Sequence, residues 1–480
     1  MPRTSRRVIG NTQLAHAVAA MRNVIVRALR CILNVITADC GAISGALAGG
    51  TIHGKSIAVE RADMTRTLVI SITTLIITLS IGSASASAQS TDDTAGRAKA
   101  LSAARDQKSE HITPPERSMT ERVLHWYDNR DSRLSWRGFH VNMGNFSGGA
   151  GFAAGIGLTQ RAIGSPVVDP YQHNRVDLDL SAGRSILGYQ RLSARVDVLN
   201  IAGAPINFGI SWRDDQMPQE DFYGLGPGSD ESHRVSYGLD TTDTTIGLEW
   251  KPFRNVTIGG AMALLQPVVG PGTDRRHPSI EVTFDPESTP GINGLPDFLR
   301  TDAMIGFDWR DSPSHPRRGG HYYAVASQYD GRSSTANDFR RVDVQLQQIV
   351  PLGNRYRRLE LRAQAALSDA DANARVPIIY QPSLGGMSTL RGFPRGRFRD
   401  RQAVTVSAEY QWEAWWALDA AVFVDSGQVM NRLRDLEIGS FETSYGIGLR
   451  LHSNSAFLAR LDLAYGREGF VPLLGFKYGF

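Results

Sequence analysis

The sequence predicts an all-β protein, a sixteen-stranded antiparallel transmembrane β-barrel with an extracellular loop folded into its lumen. Three observations lead to this fold class. From about Gly138 onward, segments of 8–14 residues alternate in polarity between turns rich in Gly, Pro, Asn and Asp. After residue 88 no apolar run reaches 18 residues, which excludes transmembrane helices. A closed β-barrel is then the remaining way to cross lipid. The C-terminal strand has the alternating pattern that the wall of such a barrel requires.

The last nine residues alternate between large apolar and small or polar side chains. One face carries Leu474, Phe476, Tyr478 and Phe480, and the other carries Gly475, Lys477 and Gly479. A strand that is apolar outside and polar inside suits a wall between lipid and water. The alternative, an edge strand of a soluble sheet, would leave an aromatic edge open to aggregation. Because a terminal aromatic residue is typical of bacterial outer-membrane barrels, we interpret Gly475, Tyr478 and Phe480 as a C-terminal barrel signal.

The first 137 residues precede the predicted barrel. Residues 64–88 have the basic start, the apolar run and the small-residue cleavage site of a secretory signal peptide. This signal predicts export to the bacterial outer membrane. We interpret residues 1–63 as an over-extended N-terminus, 89–137 as a linker and periplasmic lead-in, and 138–480 as the barrel.

Charge and cysteine content exclude several classes of protein. Residues 1–88 hold 9 of the 52 Lys and Arg residues and 3 of the 48 Asp and Glu residues, so the remainder carries 43 basic and 45 acidic groups. That near-neutral balance gives no support for nucleic-acid binding. Both cysteines, Cys31 and Cys40, lie before residue 88, which excludes a disulfide framework and a thiolate metal site in the exported part.

Strand boundaries follow from counting backward from Phe480. Splitting 232–252 would give seventeen strands, whereas single-chain bacterial barrels have an even number. It would also place the long 214–231 segment on the side of the short turns. We therefore predict extracellular loops at 266–299, 369–401 and 426–440. The sixteen predicted strands are 138–146, 149–159, 174–184, 189–199, 206–213, 232–252, 255–265, 300–310, 320–329, 338–350, 355–368, 403–413, 417–425, 441–451, 456–465 and 472–480.

No enzyme, cofactor or metal site is predicted. Residues 49–56 match the phosphate-binding P-loop pattern, but they lie ahead of the signal peptide, so we predict no nucleotide binding. No GxSxG elbow and no HExxH pair occurs after residue 88. The scattered histidines, such as His140, His315 and His452, show no ligand spacing. We expect them to be exposed or lumenal polar residues.

The long connection contains the strongest internal motif, LGGMSTLRGF at 384–393, followed by an Arg-rich tail to residue 401. Two further motifs are FYGLG at 222–226 and FVDSG at 423–427. A D-x-R-D…P…G turn consists of Asp308, Arg310, Asp311, Pro316 and Gly319. With these motifs, residues 138–480 resemble the BamA/TamA family of outer-membrane proteins, also called the bacterial surface antigen family. The resemblance implies an extracellular loop whose R-G-F tripeptide folds back into the lumen.

Alternation along the two strands after that loop places Glu409 and Asp425 on the lumenal face. Two carboxylates in a narrow lumen need a cationic partner, and the planar fork of Arg391 can bind a carboxylate bidentately. Gly392 would let the loop turn tightly, and Phe393 would pack it in place. We predict an Arg391–Glu409–Asp425 cluster that anchors the loop, as in family members, and is structural and gating rather than catalytic. The alternative is that Arg391 is a solvated surface arginine.

The resemblance also implies a function, which is insertion or translocation of proteins or lipids at the outer membrane. The implied mechanism uses a weak seam between the first and last strands. Its partners would be outer-membrane lipid and unfolded outer-membrane protein or lipid clients. The 49 residues from Gln89 to the barrel are interpreted as too few for the POTRA domains that family members carry. The alternative function is a passive pore or a structural outer-membrane protein without insertase activity.

Overall fold

The structure is a computed structural model that describes residues 138–144, 146, 150–162, 175–313, 315–371, 373–452 and 457–476. The predicted signal peptide, the linker, and Tyr478 and Phe480 of the barrel signal lie outside the described residues. Within the described ranges, no helix combines the length and the apolar character that a membrane crossing requires.

Sixteen strands form one antiparallel sheet in which each strand pairs with its neighbours along the chain. The sheet contains β1 (Phe139–Gly144), β2 (Ala153–Ala162), β3 (Arg175–Ser185), β4 (Gln190–Leu199), β5 (Ile206–Phe222), β6 (Val235–Phe253), β7 (Val256–Pro271), β8 (Phe298–Asp308), β9 (Gly319–Gly331), β10 (Phe339–Leu352), β11 (Asn354–Ala370), β14 (Gln402–Trp415), β15 (Leu418–Met430), β16 (Glu442–His452), β17 (Phe457–Gly466) and β18 (Gly469–Phe476). Inside the long connection, β12 (Ser383–Leu384) and β13 (Phe398–Arg399) form a separate two-stranded ladder.

Helices are short and lie in the connections. Among the residues that the structure describes, a single α-helix, α1, spans Ile280–Thr283. The 3₁₀-helices are Ile201–Gly203, Glu231–His233, Thr335–Asn337, Ile378–Tyr380, Leu433–Asp435 and Ile438–Ser440. The connections of the sheet alternate between two ends. We call the end with 254–255, 309–318 and 416–417 the short-turn end, and the end with 272–297, 371–401 and 431–441 the long-loop end.

The sheet curls into a barrel, because its first strand contacts its last. β1 lies against β18. In the part of the chain that the structure describes, no hydrogen-bonded register joins these two strands, whereas every other neighbouring pair has one. The prediction of sixteen antiparallel strands is confirmed, and residues 235–253 form the single long strand that parity required.

Several strands extend further than the sequence indicated. β5 continues to Phe222 and β7 to Pro271, so the predicted loops at 214–231 and 266–299 both begin as strand. β5 and β6 stay paired up to Phe222 and Val235 through a bulge between Met217 and Glu220. The bulge accommodates Pro218, which has no N–H for the ladder. The local turn signals were therefore overridden by pairing with a long neighbouring strand.

The two faces of the sheet have opposite chemistry. On β15, Val422 and Val424 are exposed, while Phe423 and Asp425 are buried. The same outward exposure of large apolar side chains recurs around the sheet at Ile246, Met262, Ile305, Val406, Ile447, Leu463 and Leu474. Buried polar side chains include Asp215, Glu409, Asp419, Arg450 and Asp462. This inside-out arrangement suits a wall with lipid outside and polar groups inside.

Candidate functional site

The candidate site is built around the connection between β12 and β13, residues 385–397, which we call the lumen loop. The ladder that pairs Ser383 with Arg399 and Leu384 with Phe398 closes its base. Inside it, the Gly386 N–H donates to the Phe393 carbonyl at 2.9 Å. The lumen loop is therefore a compact hairpin, and it contacts the inner faces of β14 to β18.

Arg391 joins the lumen loop to two lumenal carboxylates. Its Nε and Nη2 donate to the two oxygens of Asp425, each at 2.7 Å, and its Nη1 donates to Glu409 Oε2 at 2.5 Å. The guanidinium carbon also lies 3.4 Å from the centroid of the Phe423 ring. Arg391 is 1% exposed, so the sequence-based alternative of a solvated arginine is wrong.

The charge of Arg391 is maintained by its partners. Burial by itself lowers the pKa of the guanidinium, but its hydrogen bond to Asp425 and the charges of Asp425 and Glu409 together raise the pKa above its usual range. Ser407 also binds the carboxylate of Asp425, because its Oγ donates to Asp425 Oδ1 at 2.6 Å. Arg391 and Asp425 thus form a charged pair in which both carboxylate oxygens accept hydrogen bonds from the guanidinium.

The site is larger than the predicted cluster. Arg450 donates to Glu409 Oε1 through Nε at 3.1 Å and Nη2 at 2.9 Å, and to Asp462 Oδ1 through Nη1 at 2.5 Å. Arg460 binds the other oxygen of Asp462. These six residues, which we call the charge network, are Arg391, Glu409, Asp425, Arg450, Arg460 and Asp462. Three guanidinium groups thus face three carboxylates, and the network is neutral.

Sequence reasoning missed Arg450 and Asp462, although a signal for them existed. Each lies between outward apolar neighbours, Leu449 beside Arg450, and Leu461 and Leu463 beside Asp462. The alternation that placed Glu409 and Asp425 in the lumen applies equally to β16 and β17. A buried charge flanked by lipid-facing leucines is a lumenal charge that requires a partner.

Position 392 requires glycine because the loop backbone lies very close to β16 and β17, and not because the chain turns there. A Cβ at this position would stand 2.5 Å from the Ser444 Cβ and 2.8 Å from the Gly466 backbone nitrogen. Gly392 is not among the glycines with positive φ, so the tight turn expected from the sequence is not its role. The glycine instead lets the lumen loop lie directly on β16 and β17. Phe393 beside it is fully buried and meets Phe398 edge-to-face, with ring centroids 5.1 Å apart.

The Arg-rich tail reaches the opposite side of the barrel. Arg397, 1% exposed, donates to Glu468 at 2.9 Å and to the Ser229 carbonyl at 2.8 Å. Arg399 donates to the Ile378 carbonyl at 2.7 Å. Sequence patterns gave no indication of these contacts, because they join segments far apart in the chain. They hold the loop between the β5–β6 connection and the β17–β18 turn.

The lumen loop also contacts the last strand. A Cβ on Gly475 would stand 2.7 Å from the sulfur of Met387, at the tip of the loop. Gly475 therefore faces inward, as the alternation predicted, and Leu474 and Phe476 face outward. The lumen loop therefore contacts β18 through Met387.

The predicted D-x-R-D…P…G turn lies at the short-turn end, between β8 and β9. Arg310 binds Asp308 through two hydrogen bonds, at 2.9 Å and 2.7 Å. Asp311 accepts from the Arg317 and Arg318 N–H groups, at 2.9 Å and 3.3 Å. Gly319 has φ +101°, and a Cβ there would stand 2.5 Å from the Trp309 carbonyl. The fifth motif residue, Pro316, is part of the same turn, and the motif stabilises it without reaching the charge network.

This turn brings together two histidines that the sequence indicated were unrelated. The rings of His315 and His452 stack with centroids 4.2 Å apart, and both face Asp419 at the start of β15. Of the two expected environments, exposed or lumenal, the pair has the lumenal one, and the sequence did not indicate that the two rings meet. Spacing along the chain could not reveal them, since curvature of the sheet brings β16 under the β8–β9 turn. Burial and the charge of Arg358 lower the pKa of His315 to about 3.

The sequence matches the Omp85 superfamily domain over residues 145–470. Among curated proteins no sequence matches the chain. Among solved structures it is similar to BamA from Haemophilus ducreyi lacking POTRA domains 1-3, with 14% identity and a TM-score of 0.48, over 71% of this chain and 70% of that chain.

Two further solved structures have the same kind of similarity. CdiB from Acinetobacter baumannii has 17% identity and a TM-score of 0.39, over 71% of this chain and 56% of that chain. CdiB from Escherichia coli has 15% identity and a TM-score of 0.42, over 73% of this chain and 63% of that chain. The chain thus spans less than two thirds of the length of either CdiB chain.

Proposed function

The chain belongs to the Omp85 superfamily of outer-membrane β-barrels, and we propose that it inserts or translocates unfolded outer-membrane proteins at a seam between β1 and β18. The observation that carries the proposal is the contact between the first and the last strand of the sheet, β1 and β18. The terminal strands of a sheet are templates for an incoming strand. A client strand would pair there and pass into lipid.

The lumen loop supports this proposal because it is attached on the side of the seam. Gly392 lies on β16 and β17, and Met387 lies on Gly475 of β18. A movement of β18 during client binding would therefore be transmitted to the loop. The charge network gives the loop a defined resting position, and its role in the proposal is to gate rather than to catalyse.

The alternative of a passive pore receives less support from the same residues. A pore needs a continuous water path, whereas the lumen contains a loop that Arg391 binds to Asp425 of β15 and Arg397 binds to Ser229 of the β5–β6 connection. Both arginines are 1% exposed. Ion pairs this dry are costly to break, so the loop is expected to stay in place at rest.

The test is client folding in liposomes that contain the full-length protein. We expect the protein to accelerate insertion of an unfolded outer-membrane barrel, and a disulfide between a cysteine in β1 and one in β18 to abolish the acceleration until it is reduced. The matched control is a cysteine pair at Val406 and Ser426, which are already register partners on β14 and β15. Locking that pair should have no effect. Equal folding rates with and without the protein would refute the proposal, and transfer of labelled lipid without client folding would assign lipid as the substrate.

A further inference from the structure

A second cluster of functional side chains lies at the short-turn end, away from the charge network. His315 Nε2 is 3.5 Å from Asp419 Oδ2, and His452 Nε2 is 3.3 Å from Asp419 Oδ1. The three ligand atoms all lie within 4.8 Å of one another. Three separate elements contribute them, which are the β8–β9 turn, the start of β15 and the end of β16.

Both separations fit metal ligation, although the one from His452 to Asp419 is also within hydrogen-bond range. Ligands about 2.0–2.1 Å from a tetrahedral zinc ion stand about 3.3 Å from one another. Both measured nitrogen–oxygen separations are close to that value. The distance from His315 to Asp419 is at the limit of a hydrogen bond, and among the described residues the buried Nε2 of His315 has no hydrogen-bond partner. A buried ring nitrogen aimed at a carboxylate without bonding to it needs an explanation.

The surroundings match those of a metal ligand set. Asp419 is 0% exposed, His452 is 2% exposed, and the side chain of His315 is 10% exposed. Arg358 Nη2 donates to Asp419 Oδ2 at 2.8 Å, and each histidine faces a different oxygen of the same carboxylate. A hydrogen bond of this kind orients a ligating carboxylate. The positive charge of Arg358 lowers the affinity for a second cation, and the neutral imidazoles are the forms that bind metal.

We propose that His315, Asp419 and His452 bind a divalent first-row transition-metal ion, for which Zn²⁺ is the test ion. Two imidazoles and one carboxylate suit this class of ion rather than Mg²⁺ or Ca²⁺, which prefer oxygen ligands. The fourth position is left to water. The ion links the β8–β9 turn to β15 and β16, and so closes the short-turn end of the lumen. This site does not depend on the proposed function.

The test uses the full-length protein, stripped with a chelator and titrated with Zn²⁺ by calorimetry. We expect one ion per chain, and we expect His315→Ala and His452→Ala each to weaken binding by more than about tenfold, the loss that even an outer-shell change can cause. The matched control is His277→Ala. His277 also binds an aspartate, Asp274, at 2.7 Å, but it belongs to no such three-residue cluster in the described part of the chain. Its loss should leave the affinity unchanged.

A second measurement needs no variant. Zn²⁺ should slow tryptic cleavage after Arg317 and Arg318, because the ion ties down the turn that contains them. Heat-modifiable migration on semi-native gels checks that each variant folds, and His315→Gln replaces an alanine variant that does not. Three results would overturn the proposal. They are the same affinity in wild type and His315→Gln, the same loss in His277→Ala, and no protection of the turn by Zn²⁺.

Discussion

At the residue scale, the central feature is how Arg391 compensates two buried acids. Asp425 accepts hydrogen bonds from Nε and Nη2 of Arg391, and Glu409 accepts one from Nη1. A buried pair of this kind need not stabilise a protein relative to an apolar replacement, because desolvation offsets attraction. Removal of one member is different, since it leaves an uncompensated charge. The network therefore specifies one position of the lumen loop.

Arg391→Ala should destabilise the folded protein by about 3–5 kcal/mol, because Asp425 would keep only Ser407 as a side-chain donor. Arg391→Lys should recover part of the loss, since it keeps the charge without the planar fork. The measurement is the temperature at which the folded band converts on semi-native gels, together with trypsin cleavage inside the lumen loop. Arg434→Ala is the control, as that side chain is 71% exposed. An identical response in Arg391→Ala and Arg434→Ala would show that the ion pairs do not hold the loop.

Gly392→Ala should displace the lumen loop, because the added Cβ meets backbone and Cβ atoms of β16 and β17 that cannot move aside. Overpacking of this kind costs about 1–3 kcal/mol. We expect faster trypsin cleavage of the lumen loop with the barrel still folded. Gly439→Ala is the matched control, since nothing lies within 4 Å of its added Cβ. Unchanged cleavage in Gly392→Ala would mean that the approach to Ser444 is not tight.

At the scale of the element, each strand has two different environments at a period of two residues. β15 shows this clearly, with Val422 and Val424 exposed and Ala421, Phe423 and Asp425 buried. β14 has the same pattern, with exposed Val406 beside buried Thr405. Because one face meets lipid, an isoleucine or valine that would be a surface defect in a soluble protein is favourable here.

Val422→Arg should therefore cost about 2–4 kcal/mol of folding free energy, the penalty for a cation near the middle of the lipid-facing wall. The measurement is the folded fraction in liposomes across a urea series. Leu433→Arg is the control, because Leu433 is also an exposed apolar residue but lies in the β15–β16 connection at the long-loop end. A comparable loss at both positions would contradict a lipid-facing β15.

At the scale of the whole molecule, the barrel is occupied from both ends. The lumen loop enters from the long-loop end and binds β14 to β18, while the β8–β9 turn reaches β15 and β16 at the short-turn end through His315. Both insertions contact the wall at β15 and β16.

Conductance tests whether the lumen loop closes the barrel. In planar bilayers we expect little ion flow through the wild-type protein, intermittent openings in Arg391→Ala, and steady flow when residues 385–397 are replaced by a short Gly-Ser linker. Arg434→Ala should behave as wild type. Steady high conductance in the wild-type protein would instead favour the passive pore.

The sequence by itself determined the strand number and the faces of the strands, because both follow from alternation along each strand and from the even number of strands. The pairing of Arg391 with Glu409 and Asp425 was a prediction that also drew on the family resemblance. Only the tertiary structure decided the rest. Arg450 binding Glu409, Arg397 bridging Ser229 and Glu468, and His315 meeting His452 all join segments far apart in the chain. The requirement for Gly392 likewise arises from a neighbouring strand. These contacts depend on the curvature of a closed sheet, which no local pattern of residues contains.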